Sequence, residues 1–428
     1  MTQAGSPPIT PPSGATQESD GTGDGFTHLG NGHLLLAYIA GTFSFSFSLI
    51  VTFMLPLRAR ELDTPLALIG FLIGAGSLVA AVTSIPSGAL TQKIGPQRVF
   101  VLGTVLCTGL SVAMGFTTSY FVLLIVQLAL GAARTASWVA IQTYITNVGH
   151  PSQRVTITGR FSFATNVGTM IAPLLIGPAA QILGYSHAFF FIAGVALFFV
   201  GIGLALKPIT LARAAPNSEQ SSSAGFSAAY YQMLTRGIQI AVILTFVRVW
   251  YQTTWSAFFP LFLVEGGMSE FFAGTVISST SLVATGVALT AGRAAKLGSR
   301  PAVAGASLAI GALALVVSPH LTAIPQVYLI SLLYGVGVGI SLPLLLAMFS
   351  EEAPPGGRGV AMGVRTSGNQ VAALVAPSLS GVVIAAVGIS LGFLASGGVA
   401  WVLIGAAIVL HQRRVRGQRA GPTEPGSV

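Results

Sequence analysis

The sequence predicts an all-α membrane protein with twelve transmembrane helices, arranged as two similar six-helix bundles. The first observation is composition: 53% of the 428 residues are hydrophobic and 7% are charged, against roughly a quarter charged in soluble domains. The second is an internal repeat with a constant offset of 204 residues, since SLVA at 77–80 recurs at 281–284 and Ala-Pro at 172–173 recurs at 376–377. Two parallel halves that enclose a central cavity are typical of transporters.

Twelve segments are apolar over the 18 or more residues that a helix needs to cross a bilayer. The predicted spans are 34–57, 66–89, 98–117, 119–143, 161–183, 187–206, 238–263, 271–292, 301–318, 325–348, 366–386 and 389–410. The tail before them is rich in Pro, Gly, Ser and Thr and has no basic residue, which predicts disorder and argues against a signal peptide. The predicted regions are a disordered tail at 1–32, an N-terminal bundle at 33–206, a polar linker at 207–236, a C-terminal bundle at 237–410 and a basic tail at 411–428.

Basic residues are distributed unequally between the two sides that these spans define. Sixteen lie in tails, linker and connections on the side of the termini, and only Arg58 and Arg60 lie in connections on the other side. The positive-inside rule therefore predicts cytoplasmic termini in a plasma (inner) membrane. The net charge of +9 is spread over short loops, where it attracts anionic headgroups. We therefore expect the lipid bilayer, and not nucleic acid, as the partner of this charge.

The connection between the second and third helices carries small and basic residues in a recognisable order. It reads GALTQKIGPQR and contains Gly88, Lys93, Gly95 and Arg98, and a weaker copy, GRAAKLGSR, follows in the second half. This pattern resembles the loop signature of the major facilitator superfamily, and the repeat extends the resemblance over nearly the whole chain. In that family the loop latches the two halves together in one state, and its glycines allow a tight turn. Gln92 stands where the family usually has Asp, which removes a charge partner from the latch.

The fifth predicted helix contains small residues and a proline at spaced positions. Gly159, Gly168, Pro173 and Gly177 resemble the antiporter signature of the superfamily's drug exporters, and the resemblance implies export. Small residues let membrane helices approach closely, and proline kinks them. The repeat places Pro377 at the matching position of the eleventh helix. The alternative is that these residues serve ordinary close packing in a hinge helix.

The seventh predicted helix has a polar and aromatic face in its middle. Arg248, Tyr251, Gln252 and Trp255 are spaced i, i+3, i+4 and i+7, so they share one side of the helix. An arginine in a membrane span costs about 2.5–3.5 kcal/mol on insertion scales, so it should face a wet cavity or a partner. The family resemblance implies that helices one, four, seven and ten line the substrate cavity. We predict these four residues as substrate-binding.

The fourth predicted helix offers a second such set. Arg134 and Trp138 are four residues apart and therefore neighbours on one face, with Gln142 near it. Aromatic and amide side chains beside a charge suit a pocket for a semi-polar organic molecule. These three residues complete the predicted substrate site. The alternative for both arginines is a structural role, in which they bond helix carbonyls or amide side chains.

Acidic residues are absent from the middle of every predicted span. None of the eleven Asp and Glu residues can balance the two intramembrane arginines. The sequence therefore predicts a positive cavity that prefers anionic or polyhydroxylated substrates to lipophilic cations. A coupling proton, if one is used, would ride on the substrate or titrate at Glu61 or Asp63 near the opposite mouth.

Enzymatic function is not supported, because the sequence has no metal-ligand spacing, no nucleophile elbow and no phosphate-binding loop. We expect no cofactor and no metal. The favoured function is a permease that exports a small organic molecule by alternating access, with drug-like substrates also open. The alternatives are an importer or exchanger of an organic anion, and a receptor with the same fold that binds without transporting.

Overall fold

The computed structural model describes residues 31–148, 154–209, 235–321, 323–352 and 358–419, which are almost entirely α-helical and contain no β-strand. Residues 1–30 of the predicted tail at 1–32, most of the linker (210–234) and residues 420–428 lie outside these ranges. The helices are α1 (Asn31–Glu61), α2 (Leu66–Ile94), α3 (Pro96–Phe116), α4 (Tyr120–Thr146), α5 (Arg154–Ala205), α6 (Arg236–Glu265), α7 (Glu270–Ala288), α8 (Ala291–Ala294), α9 (Arg300–Val317), α10 (Ile324–Glu352), α11 (Arg358–Val387) and α12 (Ile389–Arg419).

Ten helices within the described ranges are long and apolar enough to cross a membrane. One of them, the 50-residue segment Thr156–Ala205 of α5, would be about 75 Å long as a straight helix, more than twice the hydrocarbon thickness. It is broken at Gly184, so it forms two passes. Helix α6 is as long as the others but is not among the ten, since its middle holds Arg248 and Gln252. When α5 is counted as two passes and α6 is added, the described ranges contain twelve passes, as predicted.

Two of the turns between passes repeat their backbone conformation at the same offset as the sequence. Gly184 and Gly388 have φ of 78° and 86°, and each separates two antiparallel passes. Asp63 and Gly267 form the next pair, with φ of 52° and 86°. In each pair the second residue lies 204 positions after the first. The duplication therefore includes backbone conformation that favours glycine.

Substituting Gly184 tests this conformation, because a Cβ there would meet no atom within 4 Å and the change acts on the backbone alone. We expect Gly184→Ala to lower the free energy of unfolding by about 1–3 kcal/mol, the cost of holding a residue with a Cβ at positive φ and extended ψ (78° and 162°). Thermal unfolding in detergent measures it. Gly194→Ala is the matched control, since Gly194 is helical and equally open. An equal loss in both variants would contradict the conformational explanation.

Each half is a bundle in which corresponding helices pack alike. In the first half α1 and α3 pack on α5, and α2 and α3 pack on α4; in the second half α6 packs on α11, α9 packs on α10 and α12, and α7 packs on α10. Gly131 of α4 lies against Gly76 and Val79 of α2. Its counterpart Gly335 lies against Thr280 and Val283 of α7. The glycines thus place the same helix pair in contact in both halves.

Several helices are longer than their predicted spans. Helix α5 begins at Arg154 instead of 161, α11 at Arg358 instead of 366, and α12 continues to Arg419 beyond the predicted end at 410. The added turns carry arginines, which lower hydropathy without breaking a helix because Arg is a good helix former. Apolar length therefore predicts the part of a helix inside the bilayer and misses the part that projects from it.

Candidate transport pathway and substrate site

Two extensive helix crossings join the halves, α2 with α11 and α5 with α7, and α1 makes a smaller contact with α6. At the first, a Cβ on Gly70 would collide with the backbone oxygen of Pro377. At the second, a Cβ on Gly177 would lie 2.6 Å from the backbone oxygen of Glu270, and one on Gly274 would collide with the oxygen of Pro173. The crossings are copies of each other at the 204-residue offset. Backbone therefore meets backbone at both, which only glycine permits.

Polar contacts tie the halves together at the same end of the molecule. The Nε of Arg60 donates to Oε1 of Glu265 at 2.7 Å, and the Tyr185 hydroxyl donates to Oε1 of Glu270 at 2.7 Å. The backbone N–H of Phe271 donates to Oε1 of Gln181 at 3.3 Å. All these residues lie near helix ends opposite the termini. We call this end of the molecule the closed end.

At the end that carries the termini, the glycines of these helices make no close contact with another helix. A Cβ on Gly88 of α2, on Gly159 of α5 or on Gly292 of α8 would have no neighbour within 4 Å. The predicted loop residues lie there too. Gly95 makes the turn between α2 and α3 with φ of 93°, and Lys93 and Arg98 are exposed. The contacts between halves described above therefore all lie at the closed end.

The antiporter-like residues of α5 divide between three environments. Gly168 packs against Thr42 and Ser46 of α1, and Pro173 and Gly177 face α7 at the crossing between the halves. Gly159 is open, as noted above. Pro377 occupies the same place as Pro173 in the symmetric crossing. Three of the four residues thus lie where helices approach closely.

The four predicted residues of α6 separate into two environments. Tyr251 is fully buried: its ring packs edge-on against Tyr334 of α10 with centroids 5.5 Å apart. Trp255 is 2% exposed and stacks on Tyr334 at 4.2 Å and on Phe259 at 3.6 Å. Arg248 and Gln252 are partly exposed. Two residues therefore pack against neighbouring helices of the second half, while the other two remain accessible.

The three predicted residues of α4 lie along the first half. A terminal guanidinium nitrogen of Arg134 lies against α2, 3.6 Å from the position that a Cβ on Gly76 would occupy. The side-chain amide nitrogen of Gln127 lies 2.8 Å from the same position. Trp138 stacks on Phe161 with centroids 6.0 Å apart and packs against Phe45. Gln142 is exposed. This set contacts α1, α2 and α5, and so belongs to the first half.

Neither arginine has a carboxylate partner in the described part of the chain. The ion pairs found there are Arg58–Glu61, Arg60–Glu265, Arg300–Glu351 and Arg414–Glu352. Buried polar atoms without a hydrogen-bond partner concentrate around Arg248: they include its own Nε, the hydroxyls of Tyr251 and Tyr334, and Nε1 of Trp255. The Tyr251 hydroxyl lies near Ser341 without a well-formed hydrogen bond. Such atoms normally have partners, so this region is suited to a polar occupant.

Two further polar residues near this region were not predicted as part of the site. Arg365 and Asn369 lie one turn apart on α11, and Nε of the first and Oδ1 of the second are buried without partners. Arg365 lies one residue outside the predicted eleventh span, so hydropathy placed it in a loop. The sequence did contain a signal for these two residues, because the two halves differ at their positions. The residues 204 positions earlier, in the first half, are Phe161 and Thr165.

The chain is similar to known transporters. It matches the family described as Major Facilitator Superfamily over residues 34–377 and 267–427. It is 30% identical over 178 residues to a multidrug resistance protein MdtG of Dickeya zeae (40% of this chain, 43% of the relative). It is 31% identical over 156 residues to MdtG of Proteus mirabilis (35% and 38%). The matched part thus spans about two-fifths of these relatives.

Solved structures show the same fold. The nucleoside transporter NupG superposes with a TM-score of 0.74 at 15% identity, over 89% of this chain and 99% of that one. The peptide transporter POT in complex with sulfate superposes with a TM-score of 0.73 at 13% identity, over 91% and 97%. At these identities the likeness concerns the fold and carries no residue roles.

Proposed function

The chain belongs to the major facilitator superfamily, and we propose that it is a secondary active exporter of small anionic or polyhydroxylated organic molecules. The observation that carries the substrate class is the pair of intramembrane arginines, Arg134 and Arg248, without a carboxylate partner in the described residues. Unpaired guanidinium groups favour ligands with oxygen acceptors and repel cations. The predicted substrate-binding residues keep this role in the proposal.

Alternating access accounts for the open and closed ends. The two glycine crossings and the polar ties close one end, and in the opposite state the loop with Lys93 and Arg98 would approach the second half. The excess of basic residues at the end with the termini supports a cytoplasmic location for it. In this orientation the end at which the described contacts between the halves are absent would face the cytoplasm, as in the state in which an exporter collects its substrate.

Export is favoured over import by two observations. Pro173 and Gly177, part of the antiporter-like series, form one of the crossings, and the curated relatives are named multidrug resistance proteins. An importer or exchanger of an organic anion would share the rest of the architecture. Proton coupling through the substrate, or through Glu61 or Asp63 at the closed end, remains part of the proposal.

Thermal shift of the purified protein tests the substrate class. Matched anionic, neutral polyhydroxylated and cationic compounds are compared, and a ligand at about a hundred times its Kd should stabilise the protein by roughly 2.7 kcal/mol. We expect shifts with anions or polyols, and an affinity loss of about tenfold or more in Arg248→Ala, as for a charged hydrogen bond. Arg293→Ala removes a charge from a short helix, α8, outside the cavity and is the control. Shifts confined to lipophilic cations would refute the proposal.

A further inference from the structure

The two halves share a backbone plan but differ in where polar groups lie. Counterparts of the residues around Arg248 can be identified 204 positions earlier. Arg248, Tyr251, Trp255, Tyr334, Arg365 and Asn369 correspond to Ser44, Phe47, Val51, Leu130, Phe161 and Thr165. The duplicated framework therefore holds an apolar or small hydroxyl side chain at each of these positions in the first half. The polar set is particular to the second half, so the fold does not require it.

Arg248 and Arg365 lie on two helices that pack against each other, α6 and α11, and the hydroxyls of Thr254 on α6 and Ser380 on α11 are hydrogen-bonded at 2.9 Å. The positive charge of Arg248 also acts on Arg365, and the Tyr251 and Tyr334 hydroxyls lie within electrostatic range of Arg248. Like charges in a poorly solvated site repel each other. Without a carboxylate between them in the described residues, such a pair lacks its natural counter-charge.

Each of the three side chains has a buried polar atom without a hydrogen-bond partner. Nε of Arg248, Nε of Arg365 and Oδ1 of Asn369 all lack hydrogen bonds, although the side chains are partly accessible. The planar guanidinium fork matches the oxygens of carboxylate, phosphate or sulfonate groups. The Asn369 amide can accept from a hydroxyl next to that group, or donate to it after rotating.

We infer that Arg248, Arg365 and Asn369 form one oxyanion-binding subsite within the second half, which holds the carboxylate, phosphate or sulfonate group of the transported molecule. The inference rests on the proposed function and refines it, because it assigns the anionic group to one half. Arg134, in the other half, contacts a different part of the substrate. The stacked Trp255 and Tyr334 form the wall behind the subsite.

Inorganic phosphate is a suitable probe, since it presents the oxyanion alone. The melting temperature of the full-length protein in detergent is followed against phosphate concentration, with chloride at equal ionic strength as reference. We expect a saturable rise in the wild type and an apparent affinity at least about tenfold lower in Arg248→Gln and in Arg365→Gln. In the double variant, the fold-loss of phosphate affinity should be smaller than the product of the two single fold-losses, because both residues bind the same group.

Matched controls separate the subsite from general effects of phosphate, which stabilises proteins non-specifically at high concentration. The linear rise in melting temperature that remains at high phosphate in every variant measures that unsaturable background. Asn369→Ala should weaken phosphate binding, whereas Thr165→Ala, at its counterpart position, and Arg134→Gln should leave the affinity within about twofold. If Arg365→Gln does not fold, Arg365→Lys serves instead, since it keeps the charge and loses the fork.

Three outcomes would overturn the inference: no saturable phosphate effect in the wild type, wild-type affinity in Arg365→Gln or Arg365→Lys, or an equal loss in Arg134→Gln and Arg248→Gln. The last result would mean that arginines of both halves bind the oxyanion, and it would leave the proposed function intact. Conversely, phosphate binding with the expected pattern but no shift by any anionic or polyhydroxylated organic compound would remove the proposed substrate class and keep the subsite. The two failures are therefore distinguishable.

Discussion

Replacing Gly70 by valine should nearly abolish transport, because the new side chain would collide with the backbone oxygen of Pro377 where α2 crosses α11. Backbone cannot yield as a flexible side chain does, and overpacking of this kind costs about 1–3 kcal/mol. That cost falls on the state that is closed at this end. The equilibrium should therefore shift away from it by roughly fivefold to a hundredfold.

Accessibility of a reporter cysteine distinguishes this shift from misfolding. Gln252 is partly exposed in the middle of α6, and the single native cysteine, Cys107, is buried. In a Cys107→Ala, Gln252→Cys background, a membrane-impermeant maleimide should label mainly from the side of the termini. Adding Gly70→Val should move labelling to the opposite side. Gly109→Val in α3 is the control, since a Cβ on Gly109 meets nothing within 4 Å and the residue lies outside the predicted loop signature. Unchanged labelling in Gly70→Val would contradict a role of this crossing in closure.

Removing the hydrogen bond between Tyr185 and Glu270 should open the closed end more often. This bond has no equivalent in the symmetric crossing, where the counterparts are Ile389 and Leu66. A hydrogen bond to a charged group contributes about 1.5–3 kcal/mol, and partial exposure brings the expected effect to the low end. Tyr185→Phe should thus raise labelling of the reporter from the opposite side by about tenfold. Glu270→Gln should raise it by less, because the amide oxygen of Gln can still accept the bond without a charge.

The double-mutant cycle decides whether the two residues act together. Tyr185→Phe combined with Glu270→Gln should be no more severe than Tyr185→Phe alone, because Tyr185→Phe removes the bond that Glu270→Gln weakens by taking away the charge of its acceptor. Gln181→Ala is a useful comparison, since Gln181 accepts a longer bond from the backbone of Phe271 at 3.3 Å and should matter less. Additive effects of Tyr185→Phe and Glu270→Gln would mean that the hydrogen bond does not hold the halves together.

The architecture was predictable because the bilayer imposes a strong constraint on sequence. Each pass needs a long apolar segment, so composition revealed the spans, and the constant offset revealed the duplication. The break at Gly184 fell between two predicted spans for the same reason. Helix ends outside the bilayer, such as those at Arg358 and Arg419, carry no apolar signal. They were therefore missed.

The site was less predictable because helical spacing defines a face but not what covers it. Tyr251 and Trp255 share a face with Arg248 in sequence, yet α9 and α10 approach from that side and bury both aromatics. Gly311 of α9 lies against the Tyr251 ring, a contact that no local pattern predicts. Arg365 lay at the edge of a hydropathy window and was assigned to a loop. Comparison of each polar residue with its counterpart in the other half would have singled it out.

Solute counterflow in proteoliposomes distinguishes alternating-access transport from binding by a receptor of the same fold. Vesicles are loaded with an anionic or polyhydroxylated ligand identified by thermal shift, and entry of the labelled ligand is followed. The account predicts transient accumulation in the wild type, a reduced rate in Arg248→Ala and near-complete loss in Gly70→Val. Saturable binding without counterflow in the wild type would contradict alternating-access transport.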